Sequence, residues 1–215
     1  MKIMIAVPCF DSVPTPFFSS MMLLDRSAGE CSLVVNAGSL VYTSRNDIAL
    51  RAIATEADFV FWCDSDMEFA PDTLTRLYKT LTENDYDIVT GIYCRRKPPY
   101  TPTLFDRLDI EGEVCWWSEF HEIPDEPFEV GGCGFGCVLM KTDVFLDVQG
   151  KFGNCFAPIA NNGEDIAFCW RARQCGYKVY CDPSVRPKHI GQIAIDMEFY
   201  EAYRKQTEGI KNGNS

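Results

Sequence analysis

The chain has 215 residues, of which 47% are hydrophobic and 24% charged, an ordinary globular composition with ample apolar material for a core. Its formal net charge of −11 repels phosphate backbones and excludes general nucleic-acid binding. No apolar run approaches the ~20 residues that span a bilayer, and the opening residues carry no signal-peptide pattern, so a cytoplasmic protein without a membrane span is expected.

Residues 2–7 form a short apolar run ended by Pro8, as in a buried strand. Phe17, Phe18, Met21, Met22 and Leu24 recur at helical spacing until Gly29. Residues 31–35 read as a second strand. Thr43 and Ser44 are placed to cap a helix whose apolar face is Ile48, Ala49, Ala52 and Ile53. Residues 58–63 are a third strand, ending abruptly in Asp64-Ser65-Asp66. Pro71-Asp72 opens a helix striped by Leu74, Leu77, Tyr78 and Leu81, and residues 88–93 are a fourth strand. This βαβαβαβ order predicts a largely parallel, Rossmann-like sheet with helices on both faces.

The second half changes character. Residues 94–127 are rich in proline, aromatics and charge, with short strands near 108–117. Gly131, Gly132, Gly134 and Gly136 lead into an apolar run at 137–140, and a helix follows Thr142. Residues 149–163 read as a loop, 164–175 as a helix, 178–181 as a strand, and about 195–206 as a last helix. No linker divides the chain. It is expected to be a single domain over 1–208, with a nucleotide-binding half (1–93), an acceptor and catalytic half (94–208), and a flexible tail at 209–215. The eleven cysteines are odd in number and form no CxxC pair, and they read as small buried hydrophobes in a reducing compartment.

The sharpest chemical signal is Asp64-Ser65-Asp66 at a strand's carboxyl end, where ligands of open α/β sheets bind. Two carboxylates there suit a hard divalent cation that also takes diphosphate oxygens, although Asp and Ser are also ordinary turn residues. The pair Glu164-Asp165 follows Gly163 at a helix start. The helix dipole favours acids there, and a carboxylate in that position can also act as a general base. His189 is one of two histidines and could complete a metal shell; His121 has no such context. The glycine string precedes a strand instead of opening a helix, so the dinucleotide fingerprint does not apply, while Gly132 could let backbone approach a sugar or diphosphate. Arg95-Arg96-Lys97 reads as a solvated run or as a lid over a diphosphate. Of Trp116 and Trp117, alternation points one inward, and the outward one could stack an acceptor sugar.

In this order the motifs resemble a glycosyltransferase of the GT-A fold, near the broad family-2 group. The resemblance rests on residues 5–11, Ser44-Arg45-Asn46, the strand running into Asp64-Ser65-Asp66, Pro71-Asp72, and Gly163-Glu164-Asp165 through Arg171 with Gly176-Tyr177. It covers about residues 1–190 and implies a smaller acceptor-side β element. Compact members of this kind occur in bacteria, phages and large viruses. By resemblance, Pro8 and Asp11 border base and ribose, Arg45 contacts base or diphosphate, and Asp64 with Ser65 touches the donor or metal-bound water. Asp66 and His189 would ligate Mn2+ or Mg2+, Asp165 would be the base of an inverting reaction, and Glu164 would contact a substrate sugar. The donor is a nucleotide-sugar, UDP-linked by default, and the acceptor is open. A retaining enzyme would share the metal site. A sugar-phosphate nucleotidylyltransferase would carry a basic glycine-rich loop where Pro8-Cys9-Phe10-Asp11 stands, and a non-catalytic binder would not need both acidic motifs.

Overall fold

The structure is a computed structural model describing residues 1–120, 122–192 and 195–212, with backbone alone for 206–212; His121 lies outside the described residues. In chain order the elements are β1 (Lys2–Cys9), α1 (Thr15–Leu23), β2 (Glu30–Ala37), α2 (Val41–Ala54), β3 (Phe59–Cys63), β4 (Met67–Glu68) and α3 (Thr73–Glu83). They continue with β5 (Ile88–Gly91), β6 (Leu104–Phe105), β7 (Arg107–Glu111), β8 (Val114–Ser118), β9 (Phe128–Val130), β10 (Gly132–Cys133) and β11 (Cys137–Lys141). The chain closes with α4 (Asp143–Phe152), α5 (Glu164–Gln174), β12 (Val179–Asp182), β13 (Lys188–His189) and α6 (Met197–Asn212).

Seven strands form one sheet in the order β2-β1-β3-β11-β5-β12-β9. The pairs β1/β2, β1/β3 and β5/β12 are parallel. The fourth predicted strand does not join the third: β11 runs antiparallel between β3 and β5, and β9 runs antiparallel at the edge. Period-2 alternation sends side chains to two cores. Met4, Ala6, Val60 and Trp62 pack against α2, α4 and α5, while Ile3, Ile5, Val7 and Phe61 pack against α1 and α3. Trp62 is fully buried among Phe135, Phe145 and Phe156, with ring centroids 5.3–6.1 Å away. Burying each such ring contributes about 1.5–3 kcal/mol.

Three local expectations are corrected. Strand β1 continues through Pro8 to Cys9, because its pairing with β3 stops at Ala6 and a proline is tolerated where only β2 remains as partner. Helix α2 starts at Val41, so Thr43 and Ser44 do not cap it; the buried Ser44 hydroxyl instead donates to the Asn36 carbonyl (3.2 Å), tying α2 to β2. Helix α6 runs to Asn212, past its expected end at 206, and residues 213–215 lie outside the described residues.

Candidate active site

Helices α1 and α2 cover opposite faces of the sheet, so the crossover order switches between β1 and β3. A crevice opens at the carboxyl ends of strands at such a point. Here it is a cleft of about 420 Å³ lined by Pro8 and Phe10 after β1, Asp64, Ser65 and Asp66 after β3, Arg45 on α2, Arg96 after β5, and Glu164 and Asp165 on α5. Two acidic motifs about a hundred residues apart in the chain therefore share one space.

Arg45 organises its floor. It is 2% exposed, and its guanidinium lies 5.5 Å from the Trp62 ring and 5.3 Å from Phe135. Nη2 donates to Asp64 Oδ1 (2.7 Å) and Nε to Glu164 Oε1 (3.1 Å). Burial alone would drive its proton off, but Asp64 and Glu164 outweigh that and raise its pKa. Arg45, expected to touch base or diphosphate, lines the cleft and holds these two carboxylates.

Asp165 is half-buried at the first turn of α5, its Oδ1 accepting from the Ile166 amide (2.8 Å). Burial and the neighbouring Glu164 push its pKa up to about 6, against the opposing pull of that amide and of Arg45. A carboxyl group poised there is mostly ionised at neutral pH yet more basic than an ordinary carboxylate, as suits a general base. Gly163 makes room for it: a Cβ at 163 would lie 2.8 Å from Asp165 Oδ1, although the glycine's φ of −60° is open to any residue.

Asp66 and His189 are joined by a ribbon that sequence reasoning did not anticipate. Strands β4 and β13 pair antiparallel, with His189 opposite Met67, and the Ile190 amide donates to the Asp66 carbonyl (2.7 Å). His189 Nε2 comes to 3.5 Å from Asp66 Oδ2, while Nδ1 lies 2.9 Å from the Cys94 carbonyl. That carbonyl fixes Nδ1 as the protonated nitrogen and aims Nε2 at Asp66, the orientation a ligating histidine needs. Burial pulls the His189 pKa down, but Asp66 and the Cys94 carbonyl leave it raised; burial pushes Asp66 up, but His189 and Arg96 leave it lowered. Arg96 Nη1 lies 2.7 Å from the same Asp66 oxygen. Among the described residues no group of three or more His, Cys, Asp or Glu side chains is gathered to hold a metal. A carboxylate and an oriented imidazole nevertheless fit a divalent ion that completes its shell with phosphate oxygens and water.

Other expected site residues lie differently. Asp11 is exposed, just beyond the cleft, and accepts from the Ser12 hydroxyl (3.0 Å). Gly132 is buried beside Leu108 and Cys169, away from the cleft lining; a Cβ there would meet Leu108 Cδ2 at 2.8 Å. Gly134 and Gly136 likewise make room for the Tyr93 ring, whose hydroxyl accepts from the Gly136 amide (2.9 Å). The glycine string serves packing. Trp116 and Trp117 point to opposite faces of the β7/β8 hairpin, and Trp117, paired with buried Leu108, is the one turned toward α5. Arg96, read from sequence as a solvated run or a lid, lines the cleft. Seven of the eleven cysteines are buried, and burial pushes the Cys155 thiol up to about 12. No described helix is long and apolar enough to cross a membrane.

Residues 47–149, just under half of the chain, match the family model described as Glycosyl transferase family 2. No curated protein matches the chain. The structure is similar to the crystal structure of A197 from STIV (TM-score 0.63, 19% identity, 91% of this chain and 87% of that one). It is also similar to the crystal structure of GalNAc-T7 with UDP, GalNAc and Mn2+ (TM-score 0.62, 12% identity, 88% of this chain), of which it spans only 44%. At these identities the likeness carries the fold. The segment matched by the family model supplies β3 and the strand-end carboxylates Asp64 and Asp66, and the fold is shared with both solved structures across most of this chain.

Proposed function

We propose that the chain transfers a sugar from a nucleotide-sugar donor to an acceptor hydroxyl by single displacement with inversion, using Mn2+ or Mg2+. The observation that carries this reading is Asp165: a carboxyl group with its pKa raised to about 6, on the same cleft as the strand-end carboxylates Asp64 and Asp66. Asp165 takes the acceptor's proton as that oxygen attacks the anomeric carbon. The bond from that carbon to the diphosphate oxygen breaks, and the nucleoside diphosphate leaves with the electron pair. Asp66 and His189 would hold the divalent cation, which when bound offsets charge gathering on the departing diphosphate. Arg96 pairs with the same diphosphate once Asp66 is engaged elsewhere, and Arg45 keeps Asp64 and Glu164 oriented toward the sugar. Pro8 and Phe10 border the base, and UDP is the default donor, since one similar structure holds UDP and Mn2+. The donor site falls mostly in residues 1–93, and the base and acceptor side in 94–208. A cytoplasmic setting belongs to the same reading, and burial keeps most of the thiols unreactive.

Asp66→Ala should abolish divalent-dependent release of nucleoside diphosphate from the donor; release at the wild-type rate would remove Asp66 as a ligand. NMR of the product's anomeric centre tests the stereochemistry. A retained configuration would exclude Asp165 as the base of a single displacement.

A further inference from the structure

Beside the cleft lies a second, smaller cavity of about 190 Å³, lined by Arg95, Phe105, Leu108, Trp117, Asn162 and Ile166. It adjoins the cleft along two chain segments. Arg96 lines the cleft and Arg95 the cavity; Asp165 lines the cleft and Ile166 the cavity. A group seated in the cavity is thus a neighbour of the proposed base.

We infer that this cavity is the acceptor subsite and that its occupant is a neutral pyranoside stacked on Trp117. The inference deepens the transferase reading and rests on it. Four observations select this chemistry. The walls are aromatic and aliphatic, with Trp117 50% exposed and braced edge-on by Phe105 (centroids 5.4 Å apart). A sugar ring offers an apolar face of C–H groups to such a surface and hydroxyls at its rim. The rim here has matching polar groups. The Arg95 guanidinium stands 5.9 Å from both the Trp117 and Phe105 rings. Asn162 uses Nδ2 for its bonds to the Ile159 and Ala160 carbonyls (3.4 and 2.8 Å), leaving its amide oxygen outside them. The charge of Arg95 is met by Glu119 (3.4 Å), in a chain of net charge −11, so an anionic acceptor gains little. Finally, the cavity's volume of about 190 Å³ is small beside the ~300–1,000 Å³ of pockets that hold drug-sized ligands, the scale of a single ring. Trp116, on the opposite face of the hairpin, takes no part in this cavity.

The test uses the whole chain labelled with 15N-tryptophan, whose four indole N–H signals are separable, the Trp117 signal being the one lost in Trp117→Phe. Methyl glycosides of glucose, galactose, mannose and the N-acetylhexosamines are titrated alongside a Ser/Thr-containing peptide. At least one glycoside is expected to shift the Trp117 signal saturably. Saturation transfer to the same glycoside should show binding about 10-fold weaker in Trp117→Ala and within about 3-fold of wild type in Trp117→Phe. Binding of none of the glycosides, binding unchanged in Trp117→Ala, or a Trp117 shift produced by the peptide alone would overturn the inference. Failure of the transferase reading is separate: it shows as wild-type protein that releases no nucleoside diphosphate from any donor, whatever binds at Trp117.

Discussion

Asp165 is subject to opposing pulls on its proton. The helix start, the Ile166 amide and Arg45 favour the carboxylate, while burial and Glu164 favour the acid, and the second group wins, with a pKa of about 6. If Asp165 is the base, kcat/KM should climb with pH through a midpoint near 6 and level off above 7, and a pH-rate profile checks this. Asp165→Asn should lower kcat on the order of 10²–10⁴-fold. The stability effect has the opposite sign. A carboxyl whose folded pKa exceeds its unfolded value of 3.8 destabilises the fold progressively as pH rises from about 4 to 6, and the cost persists above that. Asp165→Asn should therefore be more stable than wild type at pH 8 by about 1–3 kcal/mol, with the difference vanishing near pH 4 in urea melts. Loss of activity together with gain of stability is the pattern expected of a strained functional group and not of a structural one.

At the scale of elements, the absence of a side chain at Gly163 leaves room for the Asp165 carboxylate in the first turn of α5. Gly163→Ala puts a methyl 2.8 Å from Asp165 Oδ1 while leaving the backbone conformation accessible. Steady-state kinetics of this variant should show kcat reduced by about 10–100-fold with thermal stability nearly unchanged, because a small displacement of a reacting group is costly. Such features are partly local, and local features are legible in a sequence. A strand running into Asp64-Ser65-Asp66, or a helix opening on Glu164-Asp165, is written within about ten residues. The partnership of Asp66 with His189 is not, since it depends on pairing of β4 with β13 from the far end of the chain. The same holds for the glycine string: whether Gly132, Gly134 and Gly136 face a ligand or a side chain is decided by Leu108 and Tyr93, distant in sequence. For Arg45 the resemblance implies a contact to base or diphosphate, and only the aromatic floor beneath it reveals that it is also a buried clamp. Strand direction is equally non-local, because a run such as Cys137–Lys141 has the same pattern in either orientation.

The whole molecule gathers its cleft from segments spread between Pro8 and Asp165, so a ligand that bridges them stabilises the fold globally. The proper donor with Mn2+, at 100 times its Kd, should add about 2.7 kcal/mol, raising Tm by roughly 5–10 °C in a chain of this size. A thermal-shift panel of nucleotide-sugars with and without the cation measures this, and the nucleotide giving the largest shift names the base. The seven-stranded sheet has a consequence of its own. Its central strand, β11, comes from residues 137–141, yet it fills the gap between β3 and β5, both made far earlier. During synthesis those two strands leave the ribosome with facing edges open, and exposed edges recruit other chains. The nascent protein therefore passes through a vulnerable interval until Lys141 has emerged, and a chain stopped short of that point would be handed to chaperones or lost to aggregation.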